Sequence, residues 1–456
     1  MGGGLLQLVA YGAQDAYISG NPQITFWKGL FKRHTNFAME PFRVNFSGQV
    51  QWGTKQTALI GRHADLIYST YVEVVLPQKD SANNTYYWNN TNGCLGYNLI
   101  RYVEIDIGGQ VIDRMYSEFM VIWAQLTNTI DGRMKVQSMV SGPCVTANGS
   151  SALIFGPDCG GDGRAVKLNV LYIPLPFFFT RNPGAALPLI ALQYHEVKIN
   201  VIWNEPQFIA GNFTNAAITT GGQTRPPIQK LPQAIQAAIY VDYIYLDTEE
   251  RRRMAQASHE YLIEQTQFNE DKGIRAANNR IDLTFNHPVK ELLWVVQPSY
   301  YTDCRLAADI LVDESNYFSF LIPFSYTNEP VFDQWLQING QDRLDRRYGD
   351  YYNKVQAYQH HSGTLNAGSL ANQSWAYPSS GGVYSYSFAL RPEEHQPSGT
   401  CNFSRIDTAT IVMNMAGNNT VAPTSNDTGD WNVRVYAINY NVLRVMSGMG
   451  GLAYSN

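Results

Sequence analysis

Charge is what this chain has least of. Of its 456 residues, 16% are Asp, Glu, Lys or Arg, against roughly 25% in an average soluble protein. Its formal net charge is −5. A protein that grips nucleic acid by neutralising phosphates needs a basic face, so direct nucleic-acid binding is not expected. A surface this poor in charge is polar and neutral, or buried against other chains. Cysteine is scarce too, with Cys94, Cys144, Cys159, Cys304 and Cys401 only. The number is odd and no two have CxxC spacing, which argues against a structural zinc site and a disulfide framework and leaves free thiols as the expectation. The eight histidines form no HxH or HExxH pattern, so no metal or other cofactor is expected. The most apolar pieces, 171–179 and 185–194, contain prolines and fall short of the ~18 residues that span a bilayer. The opening MGGGLLQLVAYG lacks a basic start and a long apolar run, so no secretory signal is expected.

What the chain has is apolar and aromatic side chains, 45% and 13%, with 29 tyrosines. That excludes wholesale disorder. A chain of 456 residues exceeds the ~250–300 at which one core stops growing, so two domains are expected. Tyrosine, apolar in its body and polar at its tip, suits a subunit interface. Period-two alternation dominates, as at Val103, Ile105 and Ile107, at Val197, Ile199 and Val201, and at Val241, Tyr243 and Tyr245. Such alternation marks strands with one buried face, and many short ones between Gly, Pro and Asn clusters predict antiparallel sandwiches.

One stretch occurs twice. VEIDIGGQVIDRMYSEF at 103–119 is matched by LQINGQDRLDRRYGDY at 336–351. In each, an alternating strand runs into a Gly-Gln turn, followed by Asp-Arg, one residue and Tyr. The first copy holds Gly109, Gln110, Asp113, Arg114 and Tyr116; the second holds Gly340, Gln341, Asp345, Arg346 and Tyr348. The spacing of Ile112, Tyr116, Phe119 and Trp123, and of Leu344, Tyr348, Tyr351 and Val355, predicts an amphipathic helix straight after each turn. These ten residues are therefore read as structural anchors of a turn-to-helix junction. Further landmarks recur in the same order, Arg181 and Pro183-Gly184 against Arg391 and Pro397-Ser398-Gly399, then strand 239–246 against 433–440. The chain reads as one all-β domain written twice.

The divisions expected are an N-terminal arm at 1–25, a first domain at 26–248, a linking helix at 249–258 and a second domain at 259–456. Phe26 to Phe31 could form a short helical turn. In DTEERRRMAQASHE at 247–260, Asp247 can cap the helix, Glu249 and Glu250 suit its first turn, and the Arg251-Arg252-Arg253 run is expected to be solvated. Long polar loops are expected near 78–98, 127–165, 203–236, 298–330, 356–382 and 414–431. Glycosylation triplets, the candidate sites, fall at Asn83, Asn89, Asn148, Asn212, Asn372, Asn402, Asn418 and Asn426; without a secretory signal they are expected to stay unused.

Catalytic patterns fail one by one. The segment from Gly48 to Lys55 imitates a phosphate loop but has Thr54 where the motif needs Lys, and strands surround it. The Gly448, Gly450 and Gly451 cluster imitates a dinucleotide fingerprint without room for the helix that must follow. His195 and Glu196 are neighbours on a predicted strand and so point apart. No catalytic constellation emerges, which favours a structural or binding protein over an enzyme.

Long motifs complete the reading: LVAYGAQDAYISGNPQITFWK at 8–28, IGGQVID at 107–113, FFFTRNPGAALPLIALQYHEV at 177–197 and VDYIYLDTEER at 241–251. HEYLIEQ at 259–265, FNHPVKEL at 285–292, INGQDR at 338–343, RPEEHQPSGTCNFSRID at 391–407 and NYNVLRVMSGMGGLAY at 439–454 follow. With these the chain resembles the major capsid proteins of nucleocytoplasmic large DNA viruses, of the phycodnavirus and iridovirus type. The resemblance implies two consecutive eight-stranded antiparallel jelly-roll sandwiches with short helices and long loops. It implies homotrimers forming pseudo-hexagonal capsomers that tile an icosahedral shell, with minor capsid proteins as partners and the N-terminal side towards an inner viral membrane. The virion would be its destination, by way of host cytoplasm. Two alternatives fit the same sequence features, a minor capsid or membrane-shaping scaffold protein of the same fold, and a glycan-binding or glycan-hydrolysing sandwich protein.

Overall fold

The structure is a computed structural model that describes residues 2–27, 29–76, 94–140, 170–205, 209, 219–220, 223–224, 235–274, 278–299, 330–363, 382–415 and 431–454. Two compact units are present, Met1–Ala38 and Met39–Asn456. The first carries two short helices, Gly3–Val9 and Asp15–Ser19, both without buried residues. The Asp15 carboxylate accepts a 2.8 Å bond from the Gly12 N–H and so fixes the entry to the second helix. The helical turn expected from Phe26 to Phe31 does not form; the described residues there are bends and irregular chain. Gly29 sits in its middle, and glycine is among the poorest helix formers.

In the larger unit the first eight main strands are β1 (Phe37–Asn45), β2 (Lys55–Ile60), β3 (Leu66–Val75), β4 (Ile100–Ile107), β5 (Gln110–Tyr116), β6 (Val170–Pro174), β7 (Val197–Trp203) and β8 (Gln236–Leu246). They form two sheets, β1-β8-β3-β6 and β2-β7-β4-β5. The next eight are β9 (His259–Ile274), β10 (Asn279–Asp282), β11 (Pro288–Pro298), β12 (Val331–Ile338), β13 (in two pieces, Gln341–Asp342 and Arg347–Tyr348), β14 (Val383–Ser387), β15 (Ala409–Met415) and β16 (Trp431–Met446), and β17 (Met449–Leu452) closes the chain. Their sheets are β9-β16-β11-β14 and β10-β15-β12-β13. Adding eight to every strand number of the first pair of sheets gives the second pair. Corresponding pairs, β3–β8 with β11–β16 and β4–β7 with β12–β15, are antiparallel. These are two eight-stranded jelly rolls of one topology.

Alternation explains the strands of the first roll: Val103, Ile105 and Ile107 are fully buried while Arg101 is exposed. It fails on β16, which is buried almost throughout. There Val433, Val435 and Ala437 join the core of the second roll, whereas Tyr436 and Ile438 on the opposite face join the core of the first. A sheet covered on both faces has no polar side to show.

The linking helix spans Thr248–Gln256, with Glu249 and Glu250 in its first turn. Asp247 stands at the cap position, but its side chain makes no cap bond, so the expected cap is corrected. Arg251 is not merely solvated. Its guanidinium bonds the buried Asp65 carboxylate at 3.0 Å, and the same carboxylate accepts from the Leu246 N–H at 2.9 Å. Among the described residues, no helix is long and apolar enough to cross a membrane.

Candidate functional site

The repeated stretch builds the seam between the rolls. Gly108 and Gly109 take φ of 61° and 88°, and Asn339 and Gly340 take 50° and 76°. Two successive positive φ values make the two-residue hairpin turn whose twist suits antiparallel strands. Beyond each turn the chain returns as a strand. The helix comes later, at Ser117–Thr127 in the first copy, and as a π turn Tyr351–Val355 running into Gln356–His360 in the second. The expected helix straight after the turn is thus corrected. On β5 both Ile112 and Asp113 are buried, one in the core and the other against the second roll. A strand covered on two sides loses its alternation and imitates helical spacing.

The arginines of the repeat clamp the hairpin. Arg114 donates to the buried Glu104 carboxylate at 2.8 Å, directly across β4–β5. Arg346 does the same to the buried Asp333, which also accepts from Asn414 at 2.6 Å. These bonds join outgoing and returning strands, not a turn to a helix.

The two copies differ in what they face. Gln110 accepts from the Leu452 N–H of β17 at 3.3 Å. Asp113 accepts from the Thr266 N–H of β9 at 3.0 Å. The Tyr116 ring lies 4.4 Å from that of Phe268. Their counterparts Gln341, Asp345 and Tyr348 are exposed. A Cβ on Gly108 would sit 2.4 Å from the His195 ring, whose Nδ1 lies 2.9 Å from the Gly450 carbonyl. His195 occupies a bend before β7 rather than a strand, and it ties the first roll to the last hairpin.

Two charged clusters in the seam had no motif to announce them. Glu118 is buried and bonds Arg434 and, at 2.7 Å, the Tyr436 hydroxyl; Arg434 also holds Glu270 at 2.9 Å. Burial pushes the Glu118 carboxyl up, against the pull of Arg434. In the other cluster Glu264 takes Lys290 at 2.6 Å and Arg181 at 2.9 Å, and the Arg181 guanidinium lies 4.2 Å over the Trp123 ring. The available signal was Lys290-Glu291 inside an otherwise apolar strand, since a buried charge needs a partner.

Asp113 is a further buried carboxyl of the seam. Burial pushes its carboxyl up to about 6, against the Thr266 N–H and nearby Arg181. A carboxyl raised in the fold lends stability that is complete below its unfolded value near 3.8 and is lost as pH rises through 6. Asp113→Asn, permanently neutral, is therefore expected to raise the urea midpoint at pH 7.5 by the equivalent of about 1–3 kcal/mol, and by far less at pH 4.5. Equal gains at both pH values would disprove the assignment.

Chemistry does not converge here. Among the described residues, no group of three or more His, Cys, Asp or Glu could hold a metal ion. Gly48 and Gly53 lie in the link from β1 to β2, and Gly448 follows Ser447 in the two-residue turn before β17. Neither opens a helix. Cys94 and Cys401 are free thiols; Cys144, Cys159 and Cys304 lie outside the described residues. So do the triplets at Asn83, Asn89, Asn148, Asn212, Asn372, Asn418 and Asn426. Asn402 is described, and both ends of its triplet are engaged: its carbonyl accepts from the Ser404 N–H, and the Ser404 hydroxyl accepts from the His287 N–H.

Two family models cover nearly the whole chain. "Major capsid protein N-terminus" matches 25–247 and "Large eukaryotic DNA virus major capsid protein" matches 250–451. The chain belongs to the major capsid proteins of large eukaryotic DNA viruses. The major capsid protein of Pyramimonas orientalis virus is 44% identical over all of both chains, and that of Phaeocystis pouchetii virus is 41% identical, also over all of both. Among solved structures, PBCV-1 VP54 superposes with a TM-score of 0.73 at 33% identity, covering 95% of this chain and 100% of that one. The Faustovirus major capsid protein, with a TM-score of 0.66 at 12% identity, shares the fold. The role of this major capsid protein is structural and not enzymatic, and its place is the capsid of the virion. The seam joins its two rolls through buried ion pairs and stacked rings.

Proposed function

We propose that the chain forms homotrimers in which six jelly rolls make a pseudo-hexagonal capsomer, and that capsomers tile an icosahedral shell. The observation that carries this reading is the duplication of strand order between the two pairs of sheets. Three chains each bearing two equivalent modules approximate sixfold packing with closed threefold symmetry. Within the chain we assign the first roll to 26–248, the link to 249–258 and the second roll to 259–456, with 1–25 as an arm. The ten Gly-Gln-turn residues act as structural anchors of the two hairpins. Minor capsid proteins, and an inner viral membrane on the arm's side, are the further partners, and assembly takes place in host cytoplasm. Light scattering after size exclusion tests the core of the proposal. A stable species near three times 51.2 kDa is expected, and a chain that stays monomeric at high concentration would refute the trimer.

A further inference from the structure

A third charged group lies beside the seam, and it is built on a histidine. His361 follows the Gln356–His360 helix. Its imidazole is entirely buried between two carboxylates, with Glu393 at 3.2 Å from Nδ1 and Glu291 at 3.5 Å from Nε2. Glu291, on β11, is entirely buried as well, and neither of its oxygens accepts a hydrogen bond among the described residues. Glu393 is better provided. It accepts from the Ser362 N–H at 2.9 Å, and the Ser362 hydroxyl lies 2.6 Å from its other oxygen.

From this point the chain reaches the first roll. The Ser362 hydroxyl lies 3.0 Å from the Thr127 carbonyl, and the Gly363 N–H donates to the Leu126 carbonyl at 2.7 Å. Both carbonyls belong to the last turn of the Ser117–Thr127 helix, where carbonyls have no partner within the helix. The approach is close, since a Cβ on Gly363 would stand 2.3 Å from the Leu126 oxygen. Residues 361–363 are thus a strap, anchored in the second roll by His361 and on the first by Ser362 and Gly363.

A neutral imidazole has one N–H and can serve one carboxylate, whereas an imidazolium donates on both sides. His361 and Glu291 therefore need one proton between them beyond the N–H that faces Glu393. Without it, Glu291 is a buried carboxylate with no donor, a costly state. The other charges nearby do not supply one. Lys290, one residue earlier and so on the opposite face of β11, is held by Glu264 at 2.6 Å, and Tyr440 of β16 lies 5.8 Å from its ammonium. His395 acts on Glu264, and on the first roll Arg133 donates to the Gln125 carbonyl at 2.8 Å. Burial pushes the Glu291 carboxyl up, against the pull of His361 and Lys290. Burial opposes the charge on Glu393 too, but His361 and Ser362 more than reverse this and hold its carboxyl below the ordinary range.

We propose that His361 and Glu291 form a pH-sensitive latch between the rolls: a proton shared by the pair keeps the 361–363 strap closed on the first-roll helix, and its loss releases the strap. A carboxyl raised in the fold lends stability that is complete below its ordinary 4.5 and is lost as pH rises through its folded value. The latch is accordingly closed in mild acid and opens towards alkaline pH. This gives a proton-controlled contact to a protein whose established role is structural.

Pulsed hydrogen exchange on the full-length protein tests it, read at the Gly363 amide at pH 5.5 and pH 8.5. Protection is expressed relative to the intrinsic exchange rate at each pH, with the Ile199 amide, inside a strand paired on both edges, as internal reference. In wild type the Gly363 amide is expected to lose protection at least tenfold at pH 8.5, while Ile199 stays unchanged. Glu291→Gln, permanently neutral and of the same shape, is expected to keep Gly363 protected at both pH values. Equal protection of Gly363 in wild type at the two pH values would overturn the latch, and this measurement stands by itself should the variant fail to fold. A folded Glu291→Gln protein that still loses protection at pH 8.5 would overturn the assignment to this pair. Loss of protection at Ile199 together with Gly363 would show general unfolding in place of a latch.

Discussion

Arg434→Met is expected to lower stability by about 3–5 kcal/mol at pH 7.5, a large share of the ~5–15 kcal/mol that holds an ordinary fold. Arg434 lies on β16 and reaches across the seam to Glu118 on the first-roll helix while also bonding Glu270 on β9. Methionine fills similar space but leaves Glu118 buried and charged, still held by the Tyr436 hydroxyl. Truncating one member of a buried pair costs more than the pair contributed, because the other charge keeps its desolvation penalty. Two signatures separate this account from a packing defect. Burial already raises the Glu118 carboxyl, so protonation removes the penalty and the loss shrinks as pH falls towards 5. Adding Glu118→Gln removes the stranded charge, and the double variant is expected to recover most of the stability. Urea midpoints of the two variants at pH 7.5 and pH 5 decide the matter; a double variant as weak as Arg434→Met sinks the electrostatic explanation.

Glu264→Gln is expected to cost a similar ~3–5 kcal/mol, for the opposite charge. Lys290 is entirely buried on β11, and its ammonium lies 2.6 Å from the Glu264 carboxylate. Arg181, over Trp123, is the second cation on the same carboxylate. Burial raises the Glu264 carboxyl, but Lys290 and Arg181 more than reverse this and hold it below the usual range. A depressed carboxyl contributes stability above its unfolded value near 4.5 and loses it as pH falls through its folded value. Wild type and variant should therefore differ most near neutral pH and converge in acid. Glutamine keeps the shape and an acceptor but leaves two cations without their anion. Lys290→Met on top of it should restore most of the loss, since apolar replacement of a buried pair is close to neutral. A Glu264→Gln protein with a wild-type midpoint at pH 7.5 would show that Lys290 finds another counterion.

Much of this is legible in the amino-acid sequence. Alternation located the strands around Val103, Ile199 and Val241, and the repeated Gly-Gln turns marked hairpins because two positive φ values demand Gly or Asn. Where a second surface covers a strand, the same reasoning misreads. Ile112 and Tyr116 take helical spacing in sequence because β5 is packed on two sides, and β16 hides its period behind burial on both faces. Arg251 looked like solvated surface because its partner Asp65 lies far upstream in sequence.

The amino-acid sequence by itself determined the two copies, their β character and their hairpin turns, because backbone conformation and one-sided burial are set by local residue order. Its long motifs determined the family. Only the tertiary structure decided which copy of the repeat is buried, which lone charges meet, and which faces stay open. Those outcomes depend on residues such as Glu118 and Arg434, brought together across hundreds of positions, and local sequence carries no record of such a meeting.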